Sequence, residues 1–339
     1  MPDPAAATQP DTLLAATRPF AKEIRYKSWW VLVTTLTILG GLLGIAAVAP
    51  WWPVRLVAAL TASLVMVRGF IIYHDYAHGA IFRNSKLAGA ILRIYGLLYL
   101  VGGFRYWRNT HNFHHAKVAT VEASSVGSFP IMTVEEWRNA PRLKRFHYRV
   151  ARNPMTILLA YVTVFFFSSC LEPFLRNPIK SWHTGLGVVM HGGVIALLWW
   201  LGGPWTAFYG VVLPYTVAAA LGAYLFYAQH NFPGMQILPK EEWTMHEAAL
   251  KASSFAKLNP VLDWMTGSIG YHHVHHVNPT IPFYRLREAM QSIPALQNPV
   301  VTTLKPRDVW ACLRLKIWDE VQGRMITFRE AKQRLRAAV

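Results

Sequence analysis

The chain has 339 residues, of which 53% are hydrophobic and only 15% are charged. An ordinary soluble domain is about 25% charged, so this composition argues against a soluble protein and favours one that lies in a membrane. The formal net charge is +17; we attribute it to the Lys and Arg that flank membrane helices on their cytoplasmic side, and we expect no nucleic-acid partner.

The first 24 residues differ from the rest of the chain. Residues 1–24 are rich in Ala and Pro, lack the apolar core of a secretory signal, and predict a disordered cytoplasmic tail. Residues 25–339 are expected to form one membrane domain. Four apolar runs in this domain are each about as long as the roughly 20 residues that a helix needs to cross a bilayer. These predicted spans are 29–49, 54–73, 183–202 and 205–228.

Two further apolar runs, 87–103 and 155–172, are shorter. Basic residues flank both runs at both ends, and Arg93 lies in the middle of the first. A crossing would place one basic cluster outside, so we expect both runs to lie in the membrane interface or to dip partly into the bilayer. A true crossing by 155–172 stays open as the alternative, because this run is almost uncharged.

The basic and aromatic residues support one topology, in which two helical hairpins leave both termini in the cytoplasm. All but Arg55 and Arg68 of the 34 Lys and Arg residues then lie on the inner side. Tryptophans favour membrane–water interfaces, and the outer turns carry Trp51, Trp52, Trp199, Trp200 and Trp205. The prediction is an all-α, multi-pass protein with four transmembrane helices, interfacial helices and a cytoplasmic helical cap; the family resemblance described below implies a bacterial inner membrane.

The polar regions that would form this cap are 74–154 and 229–339. In the second region, apolar residues recur at helical spacing over 283–293 and again over 308–318. The two cysteines, Cys170 and Cys312, are too few for a disulfide framework and form no Cys-x-x-Cys metal motif. We expect both to be packing residues.

Histidines form the clearest functional pattern. The chain has 14, and most fall in four tight groups. These groups are His74 with His78; His111 with His114 and His115; His230 at the end of the last predicted span; and His272 and His273 with His275 and His276.

The spacing within these groups is that of a metal centre on helices. Residues three and four apart share a helix face, so the imidazoles of each group point the same way. His273 directly follows His272 and is rotated off that face. Imidazole suits Fe, Zn, Cu and Ni. Nine converging imidazoles exceed the three or four protein ligands of one zinc, so the pattern predicts two metal ions.

Residues near the groups are candidates for supporting roles. Asp75 is placed to hold an imidazole N–H as a hydrogen-bond acceptor, although a simple helix-end charge is the alternative. Arg68 lies within an apolar span, where a charge points to function or to snorkelling toward the interface. The isolated histidines, His147, His183, His191 and His246, are expected to be ordinary packing residues.

At its histidine groups the chain resembles the membrane fatty acid desaturases, with their boxes His-x-x-x-His, His-x-x-His-His and His-x-x-His-His. Other segments resemble the bacterial acyl-lipid type of this family. These segments are Phe226-Tyr-Ala-Gln-His230, Met132 to Trp137, Trp264 to His276, Ile281 to Leu286 and Leu315 to Glu320. The resemblance covers roughly residues 70–330.

The resemblance implies two Fe2+ ions with O2 as co-substrate, a fatty-acyl or membrane-lipid substrate, and a ferredoxin or flavodoxin as electron donor. It also implies the iron ligands, which are His74, His78, His111, His114, His115, His230, His272, His275 and His276. The expected reaction inserts a cis double bond. Tyr76 and Ala77 depart from the Cys-Gly that many acyl-lipid members have in the first box, and are candidates to line the substrate or the oxygen side.

Two other functions fit the same sequence less well. A lipid, carotenoid or alkane hydroxylase or ketolase would share the metal site and differ in the fate of oxygen. A metal transporter would instead place its site near the bilayer midplane, whereas these histidines lie beyond the ends of the predicted spans.

Overall fold

The computed structural model describes residues 10–121 and 126–337, and these are mostly helical. The α-helices are α1 (Pro10–Thr17), α2 (Arg25–Val48), α3 (Trp52–His78), α4 (Lys86–Leu98), α5 (Phe104–Lys117), α6 (Val134–Asn139), α7 (Arg142–Ala151), α8 (Pro154–Leu158), α9 (Glu172–Arg176), α10 (Trp182–Ala207), α11 (Leu213–Gln229), α12 (Met245–Ala252), α13 (Pro260–Met265), α14 (His272–Val277), α15 (Leu286–Ser292), α16 (Pro306–Arg314) and α17 (Phe328–Ala337). Two segments, Tyr161–Leu171 and Phe208–Val212, are π-helical.

Short strands make a minor addition to the all-α prediction. Strands β1 (Phe255–Ala256) and β2 (Val301–Thr302) pair in parallel, and β3 (Ile317–Asp319) and β4 (Arg324–Ile326) pair antiparallel. The predicted helix over 308–318 is therefore wrong after Arg314, because Ile317–Asp319 find a ladder partner that lies later in the chain. The predicted helix over 283–293 is confirmed as a 3₁₀ turn followed by α15.

Three helical segments in the described residues are long and apolar enough to cross a membrane. Two are α2 and α3, which contain the predicted spans 29–49 and 54–73 almost entirely. Helix α3 continues beyond the predicted end through one more turn to His78 and ends at Gly79 in the left-handed conformation. That last turn carries the first histidine group away from the apolar part of the helix.

The third apolar segment, Trp182–Gln229, reverses direction near its middle. At Gly203 the backbone leaves helical geometry, with φ 78° and ψ −176°. The rings of His191 and Tyr215 then lie 5.2 Å apart, whereas a straight helix would separate residues 24 apart by about 36 Å. The predicted spans 183–202 and 205–228 are the two arms of this hairpin.

The two shorter apolar runs do not form helices of membrane-spanning length among the described residues, although Tyr161–Leu171 continues directly into α9. The run 87–103 gives α4, which packs on α3 and α10 and ends before Leu100, a residue with positive φ. The run 155–172 gives α8 and the π-helical segment Tyr161–Leu171. Neither is among the three membrane-length helices found in the described residues.

The predicted disordered tail over 1–24 is wrong for residues 10–21, which are helical; residues 1–9 lie outside the described residues. Leu13 and Thr17 are buried, and the Asn278 side chain donates a hydrogen bond to Thr17 Oγ1 at 2.9 Å. Composition suggested disorder because the partners of this helix lie about 260 residues later in the chain.

Replacement of Gly203 by Ala tests the hairpin. Its φ and ψ fall in a region that is essentially restricted to glycine, where another residue costs about 1–3 kcal/mol. Gly203→Ala should therefore lower the thermal unfolding temperature in detergent. Gly192→Ala is the matched control, since Gly192 is helical with open space around it, and Ala should be neutral or stabilising there. Equal unfolding temperatures for the two variants would contradict the hairpin.

Candidate metal centre

Four separate elements bring the histidines together. The last turn of α3 carries His74 and His78, and α5 carries the second group. His230 directly follows α11, and α14 carries the last group. The imidazoles of His74 and His275 come from positions 201 residues apart in the chain, yet their ring centroids are 4.5 Å apart.

The imidazoles form two groups, which we call the five-histidine group and the four-histidine group. The five-histidine group is His74, His78, His111, His115 and His275, whose facing nitrogens all lie within 4.8 Å of one another. In this group the Nε2 atom of His111 lies 2.9 Å from that of His74 and 3.1 Å from that of His115. The Nε2 atoms of His115 and His275 are 3.2 Å apart.

The four-histidine group consists of His114, His230, His272 and His276. Three of these, His114, His230 and His276, have facing nitrogens within 4.8 Å of one another. The Nε2 atom of His230 lies 3.1 Å from that of His114 and 2.8 Å from that of His272. The Nε2 atoms of His272 and His276 are 3.1 Å apart. Helices α5 and α14 each supply both groups, and the rings of His115 and His276 stack with centroids 4.1 Å apart.

These distances fit metal ligation. Two imidazole nitrogens that bind one divalent cation at about 2.1 Å and at right angles lie roughly 3 Å apart, which matches the observed 2.8–3.2 Å. The buried His78 Nε2 has no hydrogen-bond partner among the described residues. A buried, unpaired nitrogen is costly, and a bound cation would satisfy it. The donor set therefore fits two metal ions, one in each group.

Burial keeps the imidazoles uncharged. Desolvation, followed by the mutual repulsion of neighbouring imidazoles, lowers the pKa values of His111, His114, His115, His272, His275 and His276 well below the usual 6.5. Burial lowers the pKa of His230 to about 4. Neutral imidazole is the form that binds metal, so the ligands need not lose protons near neutral pH.

Acceptors outside the groups orient some of the rings. Asp75 Oδ1 lies 3.2 Å from His74 Nδ1, while Asp75 Oδ2 accepts a hydrogen bond from the Phe283 backbone N–H at 2.6 Å. The supporting position predicted for Asp75 is thus present. His230 Nδ1 lies 2.9 Å from the Ala252 carbonyl oxygen. His273 is turned away from both groups, with Nε2 3.1 Å from the Leu296 carbonyl oxygen.

Two of the predicted supporting residues lie away from the histidines. Arg68 is buried and donates hydrogen bonds to Thr35 Oγ1 at 3.1 Å and to the Trp264 carbonyl at 2.5 Å. It therefore ties α2, α3 and α13 together rather than snorkelling. Tyr76 packs against Gly89 and Phe104 and is absent from the described residues that line the cavity below, so its predicted position on the substrate side is wrong.

The isolated histidines are separate from both groups. His191 is buried, with Nε2 2.6 Å from the Tyr161 hydroxyl and Nδ1 2.7 Å from the Leu98 carbonyl oxygen. It is a packing residue, as predicted. His147 differs from its prediction because it lies exposed on α7. Both cysteines are buried and unpaired, as expected for packing residues.

A cavity of about 480 Å³ leads to the histidines. Its walls come mainly from α3, α5, α11 and the segments around 127–130 and 156–169, and are largely apolar. His74 and His111 of the five-histidine group and His272 of the four-histidine group line it. A flexible apolar chain is the kind of ligand that such a space fits, since ligand pockets span about 300–1,000 Å³.

Three residues of this cavity were not predicted. Trp107 stacks on His111 with centroids 4.7 Å apart and also lines the cavity. Phe226 approaches His114 at 5.3 Å, and Gln229 lines the cavity while donating to the Ile269 carbonyl at 2.8 Å. Trp107 and Phe226 each lie four residues before a clustered histidine, a spacing that places them on the same helix face.

Comparison with known proteins identifies the family. The family model described as fatty acid desaturase matches residues 50–302, which include all nine clustered histidines. The chain belongs to the fatty acid desaturase family. The resemblance drawn from the histidine boxes is thereby confirmed, and the protein is an oxidoreductase that desaturates fatty-acyl chains rather than a metal transporter.

Individual relatives of this desaturase agree. A fatty acid desaturase of Bacillus subtilis is 31% identical over 82% of this chain and 79% of its own. The sn-1 oleoyl-lipid 12-desaturase of Arthrospira platensis is 24% identical over 78% of this chain and 74% of its own. The sn-1 acyl-lipid omega-3 desaturase (ferredoxin) of a Nostoc strain is also 24% identical, over 79% and 75%.

Replacement of Asp75 by Asn tests how the desaturase orients His74. The amide keeps the size of the side chain but replaces one carboxyl oxygen with an NH2 group, and the loss of such a partner typically lowers metal affinity or activity by about 10–100-fold. Asp75→Asn should lower metal retention during dialysis against a chelator by this range. Asp308→Asn, which removes a carboxylate bonded to Thr303, is the control and should retain metal normally. Equal retention in the two variants would refute the role of Asp75.

The lowered histidine pKa values predict how stability depends on pH. In the unfolded chain these histidines bind protons as pH falls below about 6.5, whereas in the folded protein they stay neutral. The free energy of unfolding of metal-free desaturase should therefore be flat above pH 7 and fall steeply below about 6.5. Thermal unfolding at pH 8, 6.5 and 5.5 measures this, and a transition temperature that rises toward pH 5.5 would contradict it.

Proposed function

We propose that this desaturase uses O2 and a pair of iron ions to insert a cis double bond into the acyl chain of a membrane glycerolipid. One observation carries the proposal: imidazoles of both groups line the apolar cavity, His74 and His111 from one and His272 from the other. An acyl chain in this cavity would place its carbon atoms beside both metal positions.

In this proposal the five-histidine group holds one iron and the four-histidine group holds the other. An all-imidazole site selects iron only in part, because imidazole also suits zinc, copper and nickel; the family assignment favours iron. Iron held there would activate O2, which is the oxidant. The overall reaction consumes O2, two external electrons and two protons while the substrate loses one hydrogen from each of two adjacent carbons, giving a carbon–carbon double bond and two waters.

The residues of the chain supply position and exclude water. Apolar side chains of α3 and α11 would hold the flexible acyl chain in one register, which converts an unordered encounter into an oriented one. Trp107 and Phe226 form aromatic walls beside the imidazoles. Asp75 keeps the His74 Nδ1 position bonded, so that Nε2 faces the metal.

Four spans with a cytoplasmic cap is the topology that we propose. The spans are α2, α3 and the two arms of the hairpin around Gly203, and all nine clustered histidines lie on the cytoplasmic side. Because His115 and His230 belong to one centre, an even number of crossings must separate them. The hairpin supplies two, so the π-helical segment Tyr161–Leu171 does not cross fully and lies in or near the interface. We further propose that the membrane is a bacterial cytoplasmic membrane, with the positively charged residues on its inner side.

The relatives support the proposed substrate and electron donor. The Arthrospira and Nostoc proteins are named for acyl chains esterified at the sn-1 position of a lipid, and the second name includes ferredoxin. We extend both features to this chain. An acidic ferredoxin or flavodoxin would be attracted by its net charge of +17, and the rate of that encounter would fall with ionic strength.

Expression in a bacterial host that makes only saturated and monounsaturated lipids tests the proposal. Gas chromatography of total fatty acids should show a new unsaturated species. His275→Ala removes one imidazole of the five-histidine group and should abolish that species, or reduce it at least about 100-fold. His147→Ala is the control, since His147 is exposed and belongs to neither histidine group, and should leave the product unchanged.

Two results of this experiment would contradict the proposal. A hydroxylated lipid or an oxidised carotenoid without new unsaturation would assign the protein to the hydroxylases. Equal product from the His275→Ala and His147→Ala variants would remove His275 from the centre.

A further inference from the structure

Helix α7 presents an apolar stripe to the outside of the protein. Leu143, Phe146 and Val150 are 66%, 60% and 45% exposed. Their spacing of three and four residues places them on one face of the helix. Large apolar side chains that share an exposed helix face mark an interaction surface.

The orientation of this stripe is fixed by the opposite face of α7. Tyr148 is buried there, its hydroxyl donates to the Lys316 carbonyl, and it accepts a hydrogen bond from the Met132 backbone N–H at 3.0 Å. Its ring also packs against Trp137, with centroids 5.7 Å apart. The helix therefore cannot rotate to bury the stripe without breaking these contacts.

Basic residues flank the stripe. Helix α7 has the sequence RLKRFHYRVA, with four cationic side chains and no acidic one. These are Arg142, Lys144, Arg145 and Arg149. None of the four is in an ion pair within the described residues 10–121 and 126–337. A helix with an apolar face and a cationic border is typical of segments that lie in the interface of an anionic membrane.

The apolar exposure continues toward the cavity. After α7, side chains of α8 and of the following π-helical segment are exposed: Met155, Leu158, Leu159 and Val162 are 47–57% exposed. In the same segments Thr156 and Thr163 line the cavity. The exposed apolar surface that begins on α7 thus leads along the chain to the wall of the substrate cavity.

We infer that α7 is an anionic-lipid-binding interfacial helix, with Leu143, Phe146 and Val150 among acyl chains and its cationic side chains on lipid phosphates. A lipid held here has its head group in the interface and its acyl chains beside the segment that forms one cavity wall. The helix would therefore concentrate lipid substrate at the cavity, an inference that rests on the proposed lipid substrate. An acidic protein partner would match the charge of α7 but leave the apolar stripe unexplained.

A spin label at position 146 tests the depth of α7. Both native cysteines are buried, so Phe146→Cys can be labelled selectively in the full chain reconstituted into phosphatidylcholine vesicles with or without phosphatidylglycerol. Val321→Cys is the control, since Val321 is 83% exposed and lies in the turn between β3 and β4. The label at 146 should collide preferentially with O2, which concentrates in the bilayer, and the label at 321 with a water-soluble nickel chelate. Equal exposure of the two labels to the nickel chelate would overturn the inference.

A matched pair of charge variants tests the lipid class. Neutralisation by the triple change Arg142→Gln, Lys144→Gln and Arg145→Gln should lower phosphatidylglycerol retained on the purified protein, relative to phosphatidylcholine, by about fivefold or more, since each cation near an anionic surface contributes roughly that factor. The control is Arg329→Gln, Lys332→Gln and Arg336→Gln on α17, whose buried face carries Ala331, and retention there should change little.

The outcomes separate this inference from the proposed function. Lipid retention and label depth are measured without enzyme turnover. Both results therefore remain valid even if the product is not an unsaturated lipid. Equal retention by the two triple variants would overturn the inference. Slower turnover at limiting ferredoxin in the α7 variant, with unchanged retention, would instead assign α7 to a protein partner and would also overturn it.

Discussion

The convergence of nine imidazoles, eight of them buried and one, His78, half-buried, is the constraint on which the rest of the structure depends. Their nitrogens approach one another at 2.8–3.2 Å, where each unsatisfied nitrogen costs about 1–3 kcal/mol. No single helix can supply this arrangement. The long helices α3 and α11 position two parts of this arrangement, and α5 and α14 complete it from the polar side of the protein. Asp75 and the Ala252 carbonyl bond the Nδ1 atoms of His74 and His230. Neighbouring residues therefore help to orient the imidazoles of the site.

The same arrangement explains why the cavity and the metal positions lie together. Apolar side chains of α3 and α11 line the cavity. Such apolar helix faces are expected to be buried in any membrane helix bundle. The cavity lining also includes the imidazoles of His74, His111 and His272. Trp107 and Phe226 line the cavity and also contact the histidines, since Trp107 stacks on His111 and Phe226 lies beside His114. The apolar cavity and the clustered imidazoles are thus in direct contact.

Much of the centre could be predicted from the sequence, because helical spacing decides which histidines share a face. The same rule set His273 apart, and the structure turns it toward Leu296. Long-range packing could not be predicted. The helix at 10–17 depends on a partner near Asn278, Tyr76 is drawn against Gly89, and Ile317 pairs with Ile326 instead of extending α16. In each case a tertiary contact overrides a local pattern.

The metal content of the native protein tests the central claim most directly. Elemental analysis of desaturase purified from its native membrane should give about two irons per chain, one for each histidine group. Combined replacement of His114 and His276 by Ala, which leaves the five-histidine group intact, should reduce the content to about one iron. One zinc per chain with no iron, or an unchanged iron content in that variant, would contradict the account.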